Sequence, residues 1–187
     1  MEAIVLSGMP AVGKTTVAGI VAKRLGLRFL GGSDILKEMA GELGYKITGE
    51  GWWDTEEGMR FLAERKRIPD FDKKADEMLI KRAKEGNVVM TSYTLPWICE
   101  YGIKVWLSAS VEKRAERMAE RDKIDFKECI NIEKKREMEN YKLYKQLYGI
   151  EFGRDMKPFG LIINTDDISA ERVADAIIKY VEFRSKK

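Results

Sequence analysis

The stretch "LSGMPAVGKTT", residues 6–16, decides the fold. It follows a short apolar run, "AIVLS" at 3–7. It precedes a helical pattern in which Val17, Ile20, Val21 and Leu25 share a face and Gly26 marks the stop. Gly8, four residues, then Gly13-Lys14-Thr15 is the strand–loop–helix signature of a phosphate-binding loop. Gly8 and Gly13 let the backbone curl so that several N–H groups point inward, and the following helix directs its positive N-terminal end at the same point. Lys14 is expected to bridge the β- and γ-phosphates of a nucleoside triphosphate. The Thr15 hydroxyl is expected to ligate the Mg²⁺ that bridges the same two groups. An ordinary glycine-rich turn leaves the lysine and the threonine unexplained. The expected nucleotide is ATP, held by Gly8, Ala11, Val12, Gly13, Lys14, Thr15 and Thr16.

The rest of the composition narrows the chemistry. A chain of 187 residues fits one domain with a sizeable core. Its 34 basic and 31 acidic residues nearly cancel. The excess of +3 does not argue for a nucleic-acid or membrane-surface protein. The first residues, "MEAIVLSG", lack a basic region and a long apolar run, so no signal peptide is expected. No apolar stretch of roughly 18 residues exists to span a membrane. A cytoplasmic location follows as an expectation. Cys99 and Cys129 form no CxxC pair and read as ordinary free thiols. The absence of histidine rules out a Ser-His or Cys-His nucleophile and nearly excludes structural zinc. Catalysis must therefore rest on Lys, Arg, Asp, Glu, backbone N–H groups or a bound metal. Gln occurs once and Asn four times against heavy use of Lys and Glu, a balance that suits a thermophile.

Strand and helix signals alternate along the chain. After the first helix come a short strand "LRFL", a helix "SDILKEMAGEL" with Ser33 as its N-cap candidate, and a mixed stretch at 45–69. A helix at 71–85 ends at Gly86. Strands "NVVMTS" and "IKVWLSAS" follow, then the helix "SVEKRAERMAERD", an interruption at "KIDFKE" and a charged helix at 129–148. A last strand, "GLIINTDD", and a last helix close the sequence. This order predicts an α/β fold of three layers, a parallel sheet covered on both faces. A kinase built this way must collect an acceptor and exclude water. Two segments suit that task, residues 34–69 between the second and third strands and the break at 122–128. The expected division is a single domain with a core of 1–33, 70–121 and 150–187, an acceptor-binding insert at about 34–69 and a lid at about 122–140.

Six segments carry a resemblance that runs nearly end to end: "GKTTVAGIVAKRLGLRFL", "SDILKEMA", "EGNVV", "VWLSASVEKRAERMAERD", "YGIEF" and "LIINT". On these the chain resembles archaeal cytidylate kinases, within the nucleoside monophosphate kinase family. The resemblance implies a P-loop fold with five parallel strands, a monophosphate-binding helical insert and a mobile lid. It implies transfer of the ATP γ-phosphate to CMP or dCMP.

Site residues follow from the resemblance unevenly. Arg114, Arg117 and Arg121 are spaced to share one helix face. Arg117 and Arg121 match the family's arginines that clamp ATP and the moving phosphoryl group, and Arg136 matches a lid-helix arginine. The alternative is a solvated charge face, since Glu112, Glu116 and Glu120 alternate with them. On the acceptor side the match weakens. Relatives carry Gly-Asp-Ile-Phe-Arg where this chain has Ser33-Asp34-Ile35-Leu36-Lys37, so a bidentate fork becomes a point charge. Where relatives have Glu-Gly-Arg, this chain has Thr91-Ser92-Tyr93, and a further basic position is Leu143. Asp34, Lys37 and Tyr93 remain the expected acceptor contacts, with helix capping as the alternative for Asp34. Trp52 and Trp53 either stack on a base or anchor the insert. Arg60, Arg65 and Arg67 are candidates to replace the missing phosphate ligands. Trp97, after Pro96, is expected to pack inside.

Three functions fit: a cytidylate kinase-like enzyme, a kinase of the same fold for a different acceptor, and an ATPase switch acting on a protein or RNA partner. Near-neutral charge argues mildly against RNA. The molecule is expected to be a monomer or a dimer.

Overall fold

The computed structural model describes residues 1–47, 52, 56–65 and 71–185. Five strands form one all-parallel sheet: β1 (Ile4–Gly8), β2 (Arg28–Leu30), β3 (Val88–Thr91), β4 (Ile103–Ser108) and β5 (Leu161–Asn164). They lie in the order β2-β3-β1-β4-β5. The helices are α1 (Lys14–Leu25), α2 (Gly32–Glu42), α3 (Glu56–Arg65), α4 (Phe71–Glu85), α5 (Leu95–Ile98), α6 (Val111–Asp122), α7 (Phe126–Tyr148) and α8 (Ala170–Ser185).

Strand alternation sorts the core onto two faces. Val5, Met90 and Leu30 face Ile35 of α2, Leu79 of α4 and Leu95 of α5. Ile4, Leu6, Val89 and Val105 face Val17 and Val21 of α1 and Ile177 of α8. β1 is buried along its whole length. That is why it reads as an unbroken apolar run rather than an alternating one. β1 pairs with β3 on one side and β4 on the other, with Leu6 opposite Thr91 and Gly8 opposite Leu107. The chain therefore reverses direction across the sheet around β1. Open α/β sheets form ligand crevices at the carboxyl ends of strands that flank such a point.

Several boundaries move. α2 begins at Gly32, so Ser33 is not its cap. Asp34 reaches back instead, and its carboxylate accepts the Gly31 N–H at 2.7 Å. The break before α7 is shorter than expected. Lys123 adopts a left-handed conformation, φ 58°, and Asp125 caps α7 by accepting from Lys127 and Glu128 N–H. α5 is a single turn that the sequence pattern does not announce. Trp97, within it, packs on Trp106, Phe152 and Phe159 and donates its indole N–H to the Asp155 carbonyl.

Trp52 is fully buried, edge-on to Tyr45 at 6.4 Å and against Phe61 at 5.7 Å. It anchors the insert to the core and offers no face to a base. Arg60 stacks over Tyr45. Trp53, Arg67 and the Arg65 side chain lie outside the described residues. Both cysteines are free and buried. No described helix is long and apolar enough to cross a membrane.

Candidate active site

The loop between β1 and α1 has the backbone its glycines imply. Gly8 has φ +151°, and a Cβ there would sit 2.2 Å from the Leu107 carbonyl oxygen of β4. Gly13 caps α1 at φ +92°. Ala11, between them, is held at φ +56°, a region that non-glycine residues rarely occupy and that concentrates at functional loops. No side chain caps α1, and its first turn carries no acid. Its leading N–H groups thus face the loop without a side-chain acceptor, the arrangement that favours an anion.

Lys14 folds back onto the loop. Its Nζ donates to the carbonyls of Gly8 at 2.9 Å and Met9 at 2.7 Å, and lies 4.7 Å from the centroid of the Tyr93 ring. Burial pulls its pKa down from 10.5 to about 7. Arg136 contributes to that fall, while the Glu133 carboxylate opposes it. Tyr93 is fixed by rings on two sides, Tyr144 at 6.1 Å and Phe152 at 5.6 Å. Burial raises its phenol pKa, and Arg136, within hydrogen-bonding reach, pulls the other way.

Two cavities open here. The first, about 780 Å³, is lined by the loop from Ala11 to Thr16 and by Arg117, Arg121 and Arg136. The second, about 650 Å³, is lined by Asp34, Asp76, Ser92, Leu143 and Tyr148 among others. Lys14, Thr15 and Tyr93 belong to both. The two spaces therefore meet at the loop lysine, with Tyr93 between them. Lys37 lines neither among the described residues. Gly8 contributes its carbonyl to Lys14 and does not line the first cavity.

The α6 arginines separate by role. Arg114 is 2% exposed and is bound by Glu133 at 2.6 Å and by Glu137. It faces α7 and not the cavity, because Ala115 and Met118 on the same side are buried. Arg117 donates to the Thr165 hydroxyl at 3.0 Å and to its carbonyl at 2.5 Å. Thr165 is itself tied to the Val12 and Ser108 carbonyls. Arg121 is 63% exposed and forks onto Asp122 at 2.6 and 2.7 Å. Only Lys113 makes an ion pair with the alternating glutamates of α6, through Glu116, among the described residues.

The second cavity has a different character. Its apolar wall includes Phe29, Leu36, Leu79, Leu143 and Leu147. Asp76, 8% exposed, accepts from the Thr94 hydroxyl at 2.7 Å and the Tyr148 hydroxyl at 2.6 Å. Among the described residues that line it, Lys14 is the sole cation.

The residues present fit a Mg²⁺-bound triphosphate in the first cavity. The loop supplies inward N–H groups and Lys14, the cavity wall supplies three arginines, and Thr15 is exposed at the head of α1. No group of three or more His, Cys, Asp or Glu among the described residues makes a metal cage. Magnesium needs none, since it keeps waters and takes one or two protein oxygens plus substrate phosphates.

Sequence reasoning missed Asp76, Glu133 and Thr165. Glu133 had a signal. It lies four residues beyond buried Cys129, on the stripe where an apolar residue belongs. Asp76 and Thr165 are recognisable only once the fold places them beside other chain segments.

The sequence profile of the cytidylate kinase-like family matches residues 3–167. A cytidylate kinase of Pyrococcus horikoshii is 36% identical over 177 residues, covering 94% of this chain and 85% of its own. One from Pyrobaculum islandicum is 33% identical over 183 residues, covering 97% and 93%. Among solved structures, an uncharacterized protein from Eubacterium ventriosum superposes with a TM-score of 0.71 at 16% identity, covering 97% of this chain and 99% of its own. Shikimate kinase from Acinetobacter baumannii does so with a TM-score of 0.60 at 20% identity, covering 100% and 96%. The structural likenesses establish the fold. With a phosphate loop at the junction of two cavities and relatives matched over almost the whole length, the chain belongs to the cytidylate kinase-like family.

Proposed function

We propose that this enzyme transfers the γ-phosphoryl group of ATP to a nucleoside monophosphate, with CMP and dCMP preferred. The observation that carries the reading is the shared wall of the two cavities. A donor in the first and an acceptor in the second would meet at Lys14 and Thr15. The family match supports the choice of acceptor.

Bound Mg²⁺-ATP would supply the phosphoryl group and part of the charge neutralisation, with Thr15 as the protein ligand to the metal. Lys14 leaves the Gly8 and Met9 carbonyls to grip the phosphates. Arg117, fixed on Thr165, and Arg121 and Arg136, at the outer wall, surround the transferring group with positive charge. Asp34 lies on the acceptor side, where it orients the incoming molecule. No general base is required, because a monophosphate acceptor is already anionic. In this reading the insert at 34–69 frames the acceptor, and the segment at 122–140 closes as a lid and excludes water.

The test is ADP release from Mg²⁺-ATP in the presence of CMP, dCMP, UMP, AMP or GMP. Strong stimulation by CMP or dCMP supports the proposal, and stimulation by none sinks it. A second reading, a kinase for a different acceptor, draws support from the second cavity. Its described wall holds the carboxylates of Asp34 and Asp76 and a single cation. That balance favours either a weak grip on a monophosphate or an acceptor without one.

A further inference from the structure

We infer that Glu133 is the positioning residue of the arginine cluster, holding Arg136 over the donor cavity while tying it to α6. Resting on the proposed function above, the inference takes the first cavity as the triphosphate site.

Glu133 is fully buried, an unusual place for a carboxylate on an otherwise charged helix. Its two oxygens have different surroundings. Oε2 accepts from Arg114 Nη1 at 2.6 Å. Oε1 is buried without a hydrogen bond, and Arg136 Nη1 stands 3.8 Å from it. The carboxylate is thus split between a buried arginine on α6 and a half-exposed arginine on its own helix, 43% exposed. Arg136 lines the donor cavity and reaches Tyr93, which roofs Lys14.

Stability alone does not account for this pair. Buried ion pairs are often matched or bettered by apolar residues of similar volume. Arg114 also keeps a buried Nε without a partner. What the pair does supply is register. Arg114 sits one turn before Arg117 and two before Arg121 on α6. Fixing Arg114 to Glu133 therefore fixes those arginines relative to Arg136. The charge matters as well, since Glu133 is the carboxylate set among Lys14, Arg114 and Arg136. It offsets their mutual repulsion before any phosphate arrives.

The test is Glu133→Gln in two backgrounds. The amide keeps the volume and can still accept from Arg114, but the charge that draws Arg136 is gone. The turnover number for ATP-dependent transfer should fall about tenfold, with the Michaelis constant for ATP changed less than about twofold, as expected when an interaction is lost in the transition state. In an Arg136→Ala background the same substitution should change turnover by less than about twofold, because the effect passes through Arg136. The apolar double variant Arg114→Met/Glu133→Leu should fold with at least the parent melting temperature yet remain slow. An undiminished turnover in Glu133→Gln overturns the inference, as does an equal loss in the Arg136→Ala background or full recovery in the apolar pair. If the parent enzyme phosphorylates none of the five monophosphates, the acceptor reading falls. The same comparisons are then made on basal ATP hydrolysis, and the inference stands or falls on their pattern.

Discussion

Lys14 Nζ lies 4.7 Å from the centroid of the Tyr93 ring, so the cation of the phosphate loop is roofed by the side chain that follows β3. Both partners line both cavities. Lys14→Ala should abolish phosphoryl transfer, by about 10²-fold or more, the order seen when one preorganised electrostatic donor is lost. The fold should survive, because among the described residues Nζ hydrogen-bonds to loop carbonyls alone. Circular dichroism checks folding and steady-state assays check turnover. A folded variant with near-normal turnover would remove Lys14 from the chemistry.

The depressed pKa of Lys14 gives a pH dependence of definite sign. Before nucleotide binds, burial holds it down at about 7. Bound phosphates favour the charged amine, so the pKa rises on binding. ATP affinity is then complete below pH 7 and weakens as pH rises above 7 until the bound-state pKa is passed. Binding above pH 7 should take up a proton. Titration calorimetry in buffers of different ionisation enthalpy measures it, and a buffer-independent heat at pH 8 would contradict it.

Arg121 turns toward Asp122 while 63% exposed. If it engages phosphate only on closure, Arg121→Ala lowers the turnover number more than it raises the Michaelis constant for ATP. The reverse pattern would assign it to ground-state binding. No change would leave it a solvated surface charge.

Leu143 lines the second cavity, where the proposed function places the acceptor, and is 41% exposed, whereas Lys37 lines neither cavity. Leu143→Arg should therefore raise kcat/KM for CMP, by about 10- to 150-fold if one charge-assisted hydrogen bond of about 1.5–3 kcal/mol forms. Lys37→Arg should change it by less than about twofold. Tyr93→Arg should lose stability, because the ring packs on Tyr144 and Phe152. Improvement by Lys37→Arg alone would reverse the assignment of these positions.

Trp52→Ala should destabilise the protein by about 3–5 kcal/mol, the range for emptying a large aromatic site in a core. Denaturant unfolding measures this. A variant of parent stability with a raised Michaelis constant for CMP would instead restore the stacking role.

The fold was legible because its signals are local and strong. The apolar β1 run, the Gly8–Thr15 spacing and the Gly26 stop each act within a few residues, and together they fix a βα unit that needs a parallel sheet. The loop residues that line the first cavity, Ala11 to Thr16, were legible for the same reason. The arginines were harder. Arg114 and Arg117 look alike in the sequence, and only the position of α7 makes one a buried strut and the other a cavity wall. Asp34 was ambiguous and proves to cap α2 while lining a cavity. The second cavity depends on Asp76, Tyr148 and Leu143 arriving from distant segments, which no spacing rule encodes.

α7 runs 23 residues, about 34 Å. One rod thus supplies Arg136 to one cavity and Leu143, Tyr144 and Tyr148 to the other. It has no glycine or proline along its length at which to bend. Any tilt that reshapes one wall must reshape its neighbour. The two ligands would then sense each other through a shared lever, and by thermodynamic reciprocity each would alter the other's affinity by the same factor.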